Sequence, residues 1–328
     1  MLALNQPVFP ATATPRNVGA YGVSKDWRLS YIQNFNLNLQ YQVNPGMMVQ
    51  FGYVGSRGTA LPLLRSINPV VGGRRLHAAQ YPLLAAINIQ ESIGNSNYNS
   101  FQAMLRATRW KNFTLNGNYT WSKSLDNGSA VRTTLPANSF DLRREYGPSS
   151  FDNRHSFTGL VSYDVPVLGN RLRYLSRGWQ ANAMVIAAPG DPLDLLSGTN
   201  RSGVQDNRDR VDVIGDRTAN IPARANAFAP VPWFNPRAFA AAAPGTFGNI
   251  GRNSFRGPGL VTIDMSIFKD LPITERVRAQ FRLETYNLLN RSNWAPPGVT
   301  LNAPASFGLI TGTRGETRLS QLTMRFMW

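Results

Sequence analysis

Leu319-Ser320-Gln321-Leu322-Thr323-Met324-Arg325-Phe326-Met327-Trp328 is the stretch whose reading decides the fold. Leu322, Met324, Phe326 and Trp328 share one face of a strand at period two, whereas Gln321, Thr323 and Arg325 share the other, with Met327 the one exception. A strand of this kind separates an apolar medium from an aqueous one. Chain ends fray unless something ties them down, so alternation that runs out to a large terminal aromatic predicts a strand held by its surroundings. An edge strand of a soluble sheet carries the same pattern, and the rest of the chain decides between the two.

Upstream the alternation repeats. Phe35, Leu37, Leu39, Tyr41 and Val43 are interleaved with Asn34, Asn36, Asn38, Gln40 and Gln42, and Asn44-Pro45-Gly46 turns the chain into Met47, Val49, Phe51 and Tyr53. A second hairpin runs from Phe101, Ala103, Leu105 and Ala107 through Trp110-Lys111-Asn112 to Phe113, Leu115, Gly117, Tyr119 and Trp121. A third joins Phe157, Val161, Tyr163 and Val165 to Trp179, Ala181, Ala183, Val185 and Ala187 across 166–178. A fourth joins Val261, Ile263, Met265 and Ile267 to Val277, Ala279, Phe281 and Leu283 around Leu271-Pro272-Ile273-Thr274.

With the last stretch this makes about nine long strands. Residues 1–26 read as loop; 56–97 reads as a longer connection with a short strand near Ile87 and Ile89; 123–153, 189–258 and 289–316 read as long irregular loops. A structureless 189–258 would count against a compact soluble domain. Short turns that alternate with long loops predict an all-β chain, a segment of an antiparallel up-and-down transmembrane β-barrel with periplasmic turns and extracellular loops.

The partition places Leu37, Leu39, Val49, Phe51, Phe113, Leu115, Val261, Ile263, Met265 and Phe281 on a convex face. Asn36, Asn38, Gln50, Asn116, Asn118, Asp264, Gln280 and Arg282 then lie on a concave one. Tyr53, Trp121, Tyr163 and Trp179, at strand ends with Trp328, fit an aromatic girdle.

Composition removes other classes. No apolar run approaches the ~18 residues of a spanning helix, and the absence of cysteine excludes disulfides and thiolate metal sites. The net charge of +16 comes from 34 Lys+Arg against 18 Asp+Glu. Arg57, Arg65, Arg154, Arg208, Arg252 and Arg291 are scattered through turn-rich stretches, which argues for a solvated surface and against a nucleic-acid partner.

Asp206, Asp209, Asp212 and Asp216 lack the ligand spacing of an EF-hand, and the interleaved Arg208, Arg210 and Arg217 point to a solvated ion-pair loop, so no metal is expected. Asp152-Asn153-Arg154-His155-Ser156 lacks a nucleophile elbow and a second orienting carboxylate. The glycines from Gly245 to Gly259 miss the dinucleotide fingerprint. Neither an enzyme nor a cofactor is expected.

Tyr53-Val54-Gly55-Ser56-Arg57-Gly58, Ser96-Asn97-Tyr98, Tyr119-Thr120-Trp121-Ser122-Lys123-Ser124, Gly178-Trp179-Gln180, Phe247-Gly248-Asn249, Arg256-Gly257-Pro258-Gly259 and Glu284-Thr285-Tyr286-Asn287-Leu288-Leu289-Asn290 together resemble, in order and spacing, the C-terminal barrel of Oar-like TonB-dependent receptors, often fused to a carboxypeptidase-regulatory-like domain. The resemblance runs from about Asp26 to Trp328 and implies a barrel of about 22 strands, plugged by an N-terminal domain, in the cell outer membrane.

It further implies partners: membrane lipid and lipopolysaccharide, the barrel assembly machinery that reads the Leu322, Met324, Phe326 and Trp328 strand, and the TonB complex through an N-terminal part outside this sequence. Met1 to Thr14, broken by Pro7 and Pro10, does not read as a signal peptide. The expected organisation is therefore 1–26 as the end of an upstream part and 27–328 as the C-terminal part of the barrel, forming an open sheet when taken alone. Energy-coupled uptake of a large or scarce substrate is the implied role of the parent. A structural or adhesive surface barrel and a soluble basic β-protein that binds polysaccharide or nucleic acid are the alternatives; detergent dependence separates the last from the other two.

Overall fold

The structure is a computed structural model and describes residues 18–129, 135–167, 169, 176–204, 208–226 and 228–328. Nine strands follow one another as a meander: β1 (Tyr31–Asn44), β2 (Met47–Ser66), β3 (Leu84–Trp110), β4 (Phe113–Asp126), β5 (His155–Asp164), β6 (Trp179–Ala188), β7 (Leu260–Pro272), β8 (Arg278–Tyr286) and β9 (Leu319–Met327). Each pairs antiparallel with its chain neighbours, and no ladder joins β1 to β9. All odd strands therefore run toward the short turns, so β1 and β9 are parallel and the barrel is not closed.

The register carries the partition from strand to strand. One row reads Leu39, Phe51, Ala103, Tyr119, Phe157, Ala187, Val261. The next position along β1 and its partners reads Gln40, Gln50, Met104, Asn118, Thr158, Ile186, Thr262. The apolar set lies on one face of the sheet, exposed at Leu37 (64%), Phe51 (49%) and Leu322 (77%) and half-buried at Val49, Leu115, Val261, Ile263 and Met265. The polar face is cross-linked by side chains: Gln40 Nε2 donates to Gln50 Oε1 (2.9 Å), Gln180 Nε2 to Asp164 Oδ1 (2.9 Å) and Gln321 Nε2 to Glu284 Oε2 (2.7 Å).

The sheet has no core of its own: the only buried apolar residues in the nine strands are Leu63, Leu64, Ala107 and Ala279. The large core lies instead in the segment expected to be structureless. Short ladders pair Pro192–Leu193 with Phe255–Arg256, Val211–Val213 with Phe239–Ala241, and Val231–Pro232 with Leu309–Ile310. They enclose Leu193, Leu195, Val211, Phe234, Phe239 and Phe307. Phe234 is fully buried, with three edge-on phenyl partners, Phe239, Phe255 and Phe307, at 5.1–5.3 Å. Truncating such a ring to alanine costs about 3–5 kcal/mol. The loops between β6 and β7 and between β8 and β9 thus form one packed body.

Two other expectations are corrected. Residues 56–97 are largely strand: β2 continues to Ser66 and β3 begins at Leu84, across register shifts between Gly58 and Pro62 that break the alternation there. Within 1–26, Val18–Val23 is a strand parallel to Leu84–Gln90. Its position follows from β4, which stops at Asp126 opposite Ser96 and leaves the outer length of β3 with a free edge on that side.

Candidate functional site

The four girdle aromatics occupy the apolar face in two separate rows. Tyr53 and Trp121 flank Phe101 in one row near the long loops. Tyr163 lies opposite Phe113 near the short turns, ring centroids 4.4 Å apart, and Trp179 lies opposite Lys269 at the same end. Two lysines stand on this face of the strands: Lys123, exposed and two positions beyond Trp121, and Lys269, whose Nζ sits 5.1 Å from the Trp179 ring and donates to the Arg177 carbonyl (2.6 Å), which keeps that charge at the rim. Phe113 and Trp121, eight positions apart on β4, span roughly 26 Å of strand, or about 20 Å along the barrel axis at a ~40° tilt, comparable with an apolar band of ~25 Å.

β9 completes this face. Phe326 is opposite Ala279, Met324 opposite Phe281, and Leu322 opposite Leu283. Trp328 follows the last paired residue, Met327, at the short-turn end, and is 94% exposed.

At the other end the loops are locked together by arginines. Arg210 is buried and donates to Glu145 Oε2 (2.6 Å) and Asp194 Oδ1 (2.8 Å), tying the β4–β5 connection to the β6–β7 loop. Burial depresses its basicity, but the hydrogen bond it donates to Glu145 and the charges of Asp194 and Glu145 outweigh that, and the guanidinium is held above its ordinary pKa. Arg252 Nε donates to the Glu145 carbonyl (2.6 Å), and its guanidinium is paired with Asp126; Arg256 is paired with Asp152 in the same way. The sequence pattern flagged Arg252 only as scattered surface charge and Arg210 as part of a solvated ion-pair loop; no spacing rule marks their partners Glu145 and Asp126, which lie 65 and 126 positions away.

Breaking one half of such a buried pair costs about 3–5 kcal/mol. Arg210→Met is therefore expected to raise hydrogen exchange at Leu195 and Val211 by roughly a hundredfold or more, each 1.4 kcal/mol being tenfold. Adding Glu145→Gln and Asp194→Asn is expected to recover most of the protection, and unchanged exchange in the single variant would refute the lock.

A family profile described as the outer membrane beta barrel domain matches residues 2–321. The chain belongs to the outer membrane β-barrel domain family. Among solved structures, the outer membrane transporter YddB from Escherichia coli superposes with a TM-score of 0.54 at 10% identity, over 96% of this chain and 34% of that one. The ferric-catecholate import receptor Fiu from E. coli K12 gives 0.46 at 12% identity, over 93% and 28% respectively. This chain thus spans about a third or less of the length of the structures it matches. No curated protein matches the sequence.

As a member of the outer membrane β-barrel domain family, the protein resides in the outer membrane, and its exposed apolar face is the surface suited to lipid. No helix among the described residues is long and apolar enough to cross a membrane, which leaves crossing to the strands.

The sites weighed in the sequence separate in space. Asp209 accepts from Arg201 N, Ser202 N and Ser202 Oγ; Asp212 accepts from Asn249 N; Asp216 accepts from Thr218 N and Oγ1 and from Ala219 N, which lowers its pKa. Asp206 lies outside the described residues. Asp216 caps its own turn, whereas Asp209 and Asp212 tie separate segments together, and among the described residues no three His, Asp or Glu side chains converge as metal ligands. The solvated loop expected here is in part buried: Asp209 and Arg210 are both shielded from solvent, Arg210 by its partners Glu145 and Asp194. Asp152 accepts from Ser124 N and pairs with Arg256, whereas His155 Nδ1 is 2.8 Å from Tyr119 Oη, so the string 152–156 forms no dyad.

Proposed function

We propose that the chain is the C-terminal part of the barrel of an Oar-like TonB-dependent outer-membrane transporter, whose remaining strands lie elsewhere in the same polypeptide. The observation that carries this reading is the nine-strand meander with an apolar and an amide-rich face and two unpaired edges that run the same way, since a single-chain bacterial barrel closes antiparallel with an even strand count. The polar face lines the lumen, the apolar face meets lipid, Tyr53 and Trp121 mark the outer interface, and Tyr163 and Trp179 the inner one. Leu322, Met324, Phe326 and Trp328 serve as the signal for the barrel assembly machinery. TonB and the plug act through the part outside this sequence, and the loop body joined by Arg210, Arg252 and Arg256 forms one wall of the outer vestibule through which a large substrate enters.

The test is recovery of the protein from chemically cross-linked cells. Co-recovery of TonB with protein from the outer-membrane fraction is the expected result. A barrel present in that fraction, with cross-linker active and no TonB attached, would favour a non-transporting surface barrel and overturn transport.

A further inference from the structure

The apolar face carries a groove over β4 and β5. Gly117 lies directly opposite Gly159, in a row that reads Leu105, Gly117, Gly159, Val185, and a Cβ added at Gly117 would meet nothing within 4 Å. The missing side chain at Gly117 leaves a groove of about 450 Å³, walled toward the loops by Tyr119 and Phe157 and toward the turns by Leu115 and Val161, while the Phe157 ring leans over Gly159, 3.1 Å from where a Cβ would stand.

The groove is continuous with a basic rim. Two positions from Leu115 comes Phe113, stacked on Tyr163, and Phe113 lies opposite Trp110 across the turn. Lys111 Nζ sits 5.3 Å from the Trp110 ring. Arg109 and Lys111 are exposed, and among the described residues neither takes part in an ion pair. Both adopt left-handed backbone, with φ of 52° and 49°, in a turn without glycine. That conformation is uncommon for long side chains, and the tight turn sets Arg109 and Lys111 on either side of Trp110, which lies opposite Phe113 at the end of the apolar strip. From Phe113 to Gly117 the strip runs about 13 Å along β4, within reach of a fatty acyl chain.

We propose that this strip binds one anionic glycerophospholipid of the inner leaflet: the phosphate at Arg109, Lys111 and Trp110, and an acyl chain laid over Phe113 and Leu115 into the Gly117–Gly159 groove. Charge complementarity selects an anionic headgroup over a zwitterionic one, and the groove supplies apolar contact that a flat strand face lacks. The proposal rests on the barrel reading above, which sets the short turns at the periplasmic interface.

The experiment uses the protein isolated from its own outer membrane and placed in nanodiscs of equimolar phosphatidylglycerol and phosphatidylethanolamine, with retained lipid counted by native mass spectrometry. One phosphatidylglycerol is expected to be retained about tenfold over phosphatidylethanolamine. Gly117→Leu, which fills the groove, and Lys111→Ser combined with Arg109→Ser, which leave it open, are each expected to bring that ratio close to one while the heat-modifiable barrel persists. Equal retention by the unsubstituted protein, or a ratio unmoved by the Arg109 and Lys111 substitutions, overturns the site. Orientation is read separately from a Lys111→Cys variant, which is expected to react with a membrane-impermeant maleimide only after the outer membrane is opened. Labelling in intact cells would overturn the barrel orientation and this proposal together, whereas labelling from inside without lipid preference overturns the lipid site alone.

Discussion

Deletion of Phe326 to Trp328 is expected to abolish outer-membrane assembly of the protein, whereas deletion of the equally short, exposed loop stretch Ile221 to Ala223 is expected to leave assembly nearly intact. The contrast does not come from lost packing. Trp328 is almost wholly exposed and beyond the last ladder pair, and every residue of β9 is exposed, so the stretch contributes little apolar burial within the chain itself. What deletion removes is an exposed strand end: an apolar stripe ending in an indole on an edge whose backbone groups are unpaired. The measurement is the heat-modifiable band in outer-membrane fractions. An undiminished band in the truncated protein would show that assembly reads some other feature, and Trp328→Ala alone is expected to reproduce most of the loss.

Production of residues 1–328 without further strands is expected to give aggregated or degraded protein. β1 has 14 residues and one neighbour, so roughly half of its backbone N–H and C=O groups point away from β2 with no partner. The nine residues of β9 stand in the same position against β8. In hydrocarbon each orphaned group costs several kcal/mol, and even half of them sum to tens of kcal/mol, well above the ~5–15 kcal/mol by which folded proteins are stable. In water the same edges, beside an exposed apolar face, invite strand addition. Fractionation of cells that make the isolated chain decides it: a membrane-inserted, heat-modifiable monomer would show that the edges find partners within the chain.

The sheet was legible because its information is local and periodic. All nine strands follow from alternation such as Phe35 to Val43 against Asn34 to Gln42, and from turn residues such as Asn44-Pro45-Gly46, and the observed ladders keep that register. Where the alternation is interrupted, around Gly58 to Pro62, the outer continuation of β2 was invisible, and of the outer length of β3 only the short strand near Ile87 and Ile89 was legible.

The loop body was invisible for another reason. Phe234, Phe239, Phe255 and Phe307 meet from separate segments at no shared period, and Arg210 finds Glu145 across 65 positions. One signal was available: Phe228, Phe234, Phe239, Phe247 and Phe255 crowd a stretch otherwise rich in Gly, Pro and Asn, and solvated loops do not need so many large apolar rings.

The strand Val18–Val23 reaches past β1 and β2 to the outer length of β3, and the tie continues where Arg28 N donates to Ser92 Oγ (3.0 Å) and Ser92 Oγ donates to the Arg28 carbonyl (2.8 Å), 64 positions apart. It behaves as a hasp over the first hairpin. Contacts of such long sequence separation form only after the local ones have closed the intervening chain, so the hasp can fasten only when β1, β2 and β3 already stand side by side. The free long edge, β1, is thereby held beside β2 and β3, so that any strand that pairs with it meets a template whose register is already set.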